Sequence, residues 1–157
     1  MNPTYKEMGD FTFESGHKAV TKLLSLPEPP TAVFCHNDAM AIGAIKGAKA
    51  AGLKVPQDLS VVGFDDIQFA EFCDPPLTTI TQPRYEIGRQ AMLMLLEILK
   101  GRDVHAGSRL LETHLKIRES AAPPRTEHVE SGLTYKLFTG NTGFPEQFWI
   151  TMLPVFY

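Results

Sequence analysis

The sequence predicts an α/β domain, a mainly parallel sheet with helices on both faces. Three observations carry this. Two continuous apolar runs, Thr31–Cys35 and Leu59–Gly63, have the pattern of strands buried on both faces. A small-residue helical stretch from about Ala39 to Ala51 lies between them, which makes a strand–helix–strand unit. Each strand leads into a polar pair, Asn37-Asp38 and Asp65-Asp66. Parallel strands bring both pairs to one rim, beyond the carboxyl ends, where open α/β sheets bind ligands.

The first helix is predicted over Phe13–Leu26. Ala19, Val20, Leu23 and Leu24 recur at helical spacing, with His17, Lys18 and Lys22 on the other side. Thr12 is its N-cap, and Phe13 is read as core. Pro27, Pro29 and Pro30 end it and set up the extended run at Thr31. Asn37 or Asp38 caps the second helix. Its Ala39, Ala41, Gly43, Ala44, Gly47 and Ala48 make it narrow enough for close approach. Gly52 fits the left-handed position after a helix end, and Val55–Asp58 is a turn.

Ile67–Pro76 reads as irregular, with Pro75-Pro76 stopping any helix. Leu77–Thr81 is a short β-branched strand. Pro83 suits the first turn of a third helix running to about Lys100, closed by Gly101. Its Ile87, Met92, Leu95, Leu96 and Leu99 form a wide apolar face. After a loop at Arg102–Ser108, the alternation in Arg109–Ile117 predicts a final strand. Residues 1–120 thus read as one α/β unit. Residues 121–157 read as a linker, Ala-Ala-Pro-Pro-Arg125, and an atypical tail of non-native or disordered character.

Bulk properties exclude several function classes. A net charge of −3 with scattered Lys and Arg gives no basic face for nucleic acid or membrane. Two cysteines among 157 residues make no disulfide framework and fit a reducing cytoplasm. No apolar run approaches the roughly 18 residues of a membrane span, and Met1–Asp10 has no secretory h-region. Cys35, His36 and Asp38 are not a spaced metal set, and no second ligand pair follows. Gly43 and Gly47 lie inside a helix and lack the lysine and hydroxyl of a phosphate loop. The sequence therefore predicts no cofactor, no metal and no enzyme. The rim offers recognition chemistry: a strand-end carboxylate such as Asp65 can accept two hydrogen bonds from vicinal hydroxyls. Asp66, its neighbour, points the other way.

Several stretches in order resemble the carboxyl-terminal part of the lactose-repressor/galactose-repressor family of transcriptional regulators. They are Gly9-Asp-Phe-Thr-Phe-Glu-Ser-Gly16, Pro30-Thr-Ala-Val-Phe-Cys-His-Asn-Asp38 with Met40–Ala44, Gly52–Pro56, Asp58-Leu-Ser-Val-Val-Gly-Phe-Asp-Asp66 and Pro75-Pro-Leu-Thr-Thr-Ile-Thr-Gln-Pro83. Phe72–Ile80 and Gln82–Arg89 resemble the branch that senses cytidine. The resemblance implies one lobe of a two-lobed, periplasmic-binding-protein-like effector domain, with the helix-turn-helix headpiece and first lobe absent. It implies that Phe11 stacks on the ligand, that Asn37 and Asp65 bind its hydroxyls, and that Gln82 lies near the cleft. It further implies a homodimer paired through Ile42, Ile45, Phe72 and Cys73. Operator DNA would be bound only by the missing domain, with a second DNA-bound regulator as a further partner. The expected effector is a nucleoside, cytidine. A stand-alone solute-binding protein for a sugar or nucleoside is the alternative. A small enzyme with Asp65 or Asp66 as general base is the weakest reading, for want of a partner acid or nucleophile.

Overall fold

The computed structural model describes residues 5–101 and 109–123. The loop predicted at 102–108 and the tail predicted over 126–157 lie outside the described residues. The described elements are α1 (Phe13–Leu24), β1 (Ala32–Phe34), α2 (Asp38–Ala50), β2 (Ser60–Asp65), α3 (Phe69–Phe72), β3 (Thr78–Thr81), α4 (Arg84–Leu99) and β4 (His114–Lys116). The strands form one sheet in the order β1-β2-β3-β4. β1, β2 and β3 are parallel, and β4 returns antiparallel to β3.

Both long N-terminal helices start where local chemistry dictates. The Thr12 side chain accepts from Ser15 N at the start of α1, and Asn37 Oδ1 accepts from Met40 N at the start of α2. Gly52 (φ +83°) and Gly101 (φ +69°) follow the ends of α2 and α4 in the left-handed conformation that glycine adopts without a Cβ clash. The two helices pack against each other through backbone. A Cβ at Gly16 would strike the Met40 carbonyl, and one at Gly43 would strike the Phe13 carbonyl.

The core lies between α2 and β2. Leu59, Val61 and Leu77 have no exposed surface, and Ala41, Ala44, Ile45 and Ala48 fill the helix side. Each large side chain buried this way stabilises the fold by roughly 1.5–3 kcal/mol.

Several expectations need correction. β1 is three residues long and only half-buried, so the apolar run Thr31–Cys35 overstates both its length and its burial. Ile67–Pro76 contains a single helical turn, α3, before the prolines. Phe13 is half exposed, because the side of α1 facing α2 is taken by Gly16 and Val20. Only His114–Lys116 of the predicted strand Arg109–Ile117 pairs with the sheet.

α4 departs most from the expected layer. It has no buried residue, and Ile87, Met92, Leu95, Leu96 and Leu99 are all exposed. Leu93 and Ile98 are exposed as well, so its apolar residues are not confined to one stripe. Such a helix is patterned for enclosure by further protein.

Candidate ligand site

The parallel register builds the rim. Phe34 pairs with Val62, so Asn37 and Asp65, each three residues further on, leave adjacent strands at the same level. Asp65 pairs with Thr81, and Gln82 is the next residue. Adjacent strands are ~4.8 Å apart, so a small ligand can touch all three chain exits.

Asp65 and Gln82 are joined directly: Gln82 Nε2 donates to Asp65 Oδ1 at 2.5 Å. Asn37 and Phe11 form a second joined pair, since Asn37 Nδ2 donates to the Phe11 carbonyl at 3.0 Å. Asn37 is therefore the α2 cap and the tether of Phe11 at once. Phe11 stands 60% exposed at φ +67°, its ring edge-on to His36 with centroids 5.9 Å apart. Asp10 sets this bend: its Oδ1 accepts from Thr12 N at 3.1 Å and from Thr12 Oγ1 at 2.5 Å. Those hydrogen bonds hold the exposed Asp10 carboxyl below its ordinary value. The four residues Phe11, Asn37, Asp65 and Gln82 thus come from four chain segments and are linked in two pairs.

The remaining acids act on the protein itself. Asp38 is wholly buried at the first turn of α2, where its carboxylate accepts from Thr79 Oγ1 and from Ile67 N. Burial pushes its carboxyl up. The hydrogen bonds from Thr79 and Ile67 oppose this, while the charges of Asp65 and Asp66 add to it. Gly63 makes room for it, because a Cβ there would meet Asp38 Oδ1. The cap of α2 is Asn37, and Asp38 is a buried brace between α2, β3 and the loop after β2. Asp66 lies just past the end of β2 and pairs with Arg118, whereas Asp65 takes its hydrogen bond from Gln82.

Sequence reasoning missed Arg118, Lys116 and Thr81, which surround Asp66. The only signal was a basic residue two positions from Lys116 in a short alternating strand, which spacing alone does not assign to any acid.

A cavity of about 380 Å³ lies on the other side of Phe11, between α1, β1 and the segment before it. Its walls include Leu23, Val33, Cys35 and Met40, and it does not include Asn37, Asp65 or Gln82. It is mostly apolar, and Phe11 and His36 are among the residues that line it. Burial pushes the Cys35 thiol up to about 12, so it is protonated and unreactive near neutral pH.

Of the residues expected to pair subunits, Phe72 is 72% exposed and Cys73 partly so. Ile42 is half-buried against the core, and Ile45 is inside it. Ile45 faces the strands of its own chain because it falls on the same side of α2 as Ala41 and Ala48, so it presents no surface to a partner.

Residues 2–121 match the family described as periplasmic binding protein-like domain. Over 120 residues the chain is 62% identical to the HTH-type transcriptional repressor CytR of Escherichia coli (strain K12), covering 76% of this chain and 35% of that one. The lac repressor dimer bound to operator and the anti-inducer ONPF superposes with a TM-score of 0.67 at 36% identity, over 72% of this chain and 39% of that chain. A LacI family transcriptional regulator from Enterococcus faecium with bound ribose gives 0.65 at 32% identity, over 74% and 43%. The chain spans about a third of the length of the curated relatives it matches.

Proposed function

The chain belongs to the periplasmic binding protein-like domain family, in the form carried by LacI-type regulators, and on that premise we propose that it is the second lobe of a repressor's effector-sensing domain, with cytidine as the effector. The observation that carries this is the convergence of Phe11, Asn37, Asp65 and Gln82 on one rim. Phe11 offers an exposed aromatic face on which a pyrimidine stacks. Asp65 retains acceptor capacity beyond its bond to Gln82, enough for ribose hydroxyls. That the Enterococcus faecium regulator binds ribose supports a sugar at this rim. Identity to CytR supports the nucleoside.

The mechanism is a binding switch without chemistry. A ligand held between this rim and a facing lobe favours the closed arrangement, and its differential affinity shifts the geometry of a dimer that positions DNA-binding headpieces. The uncovered apolar surface of α4 supports a further lobe packed on it. The exposed Phe72 and the partly exposed Cys73 supply a dimer contact. DNA contact and any second regulator then belong to other parts of a cytoplasmic repressor.

The test is calorimetric titration of cytidine, with uridine and adenosine as controls, into this chain and into a chain of the full length of its relatives. Selective heat with cytidine that Asp65→Ala abolishes is the expected result. Equal binding of all three nucleosides, or full affinity in Asp65→Ala, overturns the assignment.

A further inference from the structure

The Asp65–Asp66 turn is held in a conformation that its own residues disfavour. Asp65 has φ +112°, a region that residues with a Cβ rarely enter unless surrounding contacts hold them there, and Asp66 has φ +52°, the left-handed region that aspartate enters more readily than most residues. Among the described residues, the Asp65 carboxylate takes one hydrogen bond, from Gln82. The sheet pairing of Asp65 with Thr81 and the bond from Ile67 N to Asp38 hold the two sides of the turn, and the remaining side-chain contacts fall on Asp66. Its Oδ1 accepts from Arg118 Nη2 at 2.7 Å, and its Oδ2 accepts from Thr81 Oγ1 at 3.0 Å, with Lys116 Nζ at 3.4 Å. Its carbonyl accepts from Arg84 Nη2 at 3.3 Å.

Arg118 is the strongest of these anchors because it is itself fixed. Its Nη1 donates to the Leu77 carbonyl at 2.7 Å, and its main-chain N donates to Thr78 Oγ1 at 2.9 Å. The Arg118 and Asp66 side chains are 10% and 13% exposed, so the pair is charge-assisted and largely shielded from water. Arg84, by contrast, is an exposed residue making a longer contact to a neutral carbonyl.

We propose that Arg118 is a positioning residue for the ligand site: by holding the Asp66 carboxylate it locks the turn at positive φ and aims the Asp65 carboxylate at the rim, without touching ligand. The ligand half of this inference rests on the Asp65 reading given above. The structural half does not, because the Gln82–Asp65 hydrogen bond is internal to the chain.

Two measurements on the full chain separate these halves. The first is the nitrogen-15 spectrum of the Gln82 side-chain amide in the parent, Arg118→Met and Arg118→Lys proteins, at a temperature where circular dichroism shows each folded. Arg118→Met shifts the Gln82 amide toward the position of a solvated amide, and Arg118→Lys restores part of the displacement. Arg89→Met, on the exposed side of α4, leaves it in place. Should Arg118→Met fail to fold, Arg118→Lys and Thr81→Val give the same shift in smaller measure. The second is the ratio of affinities for cytidine and 2′-deoxycytidine. A parent preference of about tenfold, the size of one lost hydrogen bond to a charged group, falls toward unity in Arg118→Met. A general loss of stability would weaken both ligands alike and leave the ratio. An unchanged Gln82 amide in both Arg118 variants overturns the proposal whatever the ligand result. If the parent binds no nucleoside, the cytidine reading falls, and the amide spectrum still decides the role of Arg118.

Discussion

The Asn37 side chain bridges two functions with one amide: Oδ1 accepts from Met40 N at 2.8 Å, while Nδ2 donates to the Phe11 carbonyl at 3.0 Å. A helix cap and the placement of an exposed aromatic ring are therefore coupled. Carboxylate and amide cap equally well, but only the amide can donate to Phe11. Asn37→Asp is expected to unfold within about 0.5 kcal/mol of the parent in urea and to bind cytidine markedly more weakly. Asn37→Ala is expected to lose both, with a stability cost of about 1 kcal/mol.

Asp65 and Asp66 are adjacent and should respond oppositely. Asp65 sits at φ +112° with a half-exposed side chain, so glycine relieves its backbone without emptying the core. Asp65→Gly is expected to raise stability by up to ~1 kcal/mol while removing ligand binding. Asp66→Asn leaves the Arg118 guanidinium without its compensating carboxylate charge in a nearly buried position and is expected to cost ~3 kcal/mol. Paired urea unfolding and calorimetry on the two variants check both signs.

Acid should weaken the fold through Asp66. Burial alone would raise its carboxyl, but hydrogen bonds from Arg118 and Thr81 and the charges of Arg118 and Lys116 outweigh it and hold it below its ordinary value of 3.8. The unfolded chain thus takes up this proton first on acidification. The Asp66 contribution is complete above about pH 5 and is lost as pH falls through the lowered folded value. Asp38 runs the other way. With its folded value raised, its ionised form costs stability, and that cost appears as pH rises through the raised value. The stability gap between the parent and Asp66→Asn, followed by urea unfolding, should be constant near neutrality and shrink below about pH 4.

The α1–α2 contact leaves no room for a methyl group. Gly16→Ala puts a Cβ into the Met40 backbone, and Gly43→Ala puts one into the Phe13 backbone. Backbone cannot swing aside as a flexible side chain can. Each substitution is expected to cost about 3 kcal/mol or more by chemical denaturation, despite alanine's higher helix propensity. Gly88→Ala on α4 meets nothing within 4 Å and serves as the control, neutral or slightly stabilising.

Local signals in the sequence determined much of this molecule. Caps at Thr12 and Asn37, glycine stops at Gly52 and Gly101, and the buried run before Asp65 each act through nearest neighbours, so they are legible one stretch at a time. The strand–helix–strand order placed Asn37, Asp65 and Gln82 at one edge, because parallel strands all exit on the same side. Only the tertiary structure decided which acid faces which partner. Asp66 and Arg118 are 52 residues apart and meet because β4 returns antiparallel beside β3. Asp38 became a buried brace because Thr79, 41 residues away, lies beneath it. Phe13 and the apolar face of α4 were misplaced for the same reason. Periodicity reports that a side chain is apolar, while burial depends on which surface the rest of the chain brings to it.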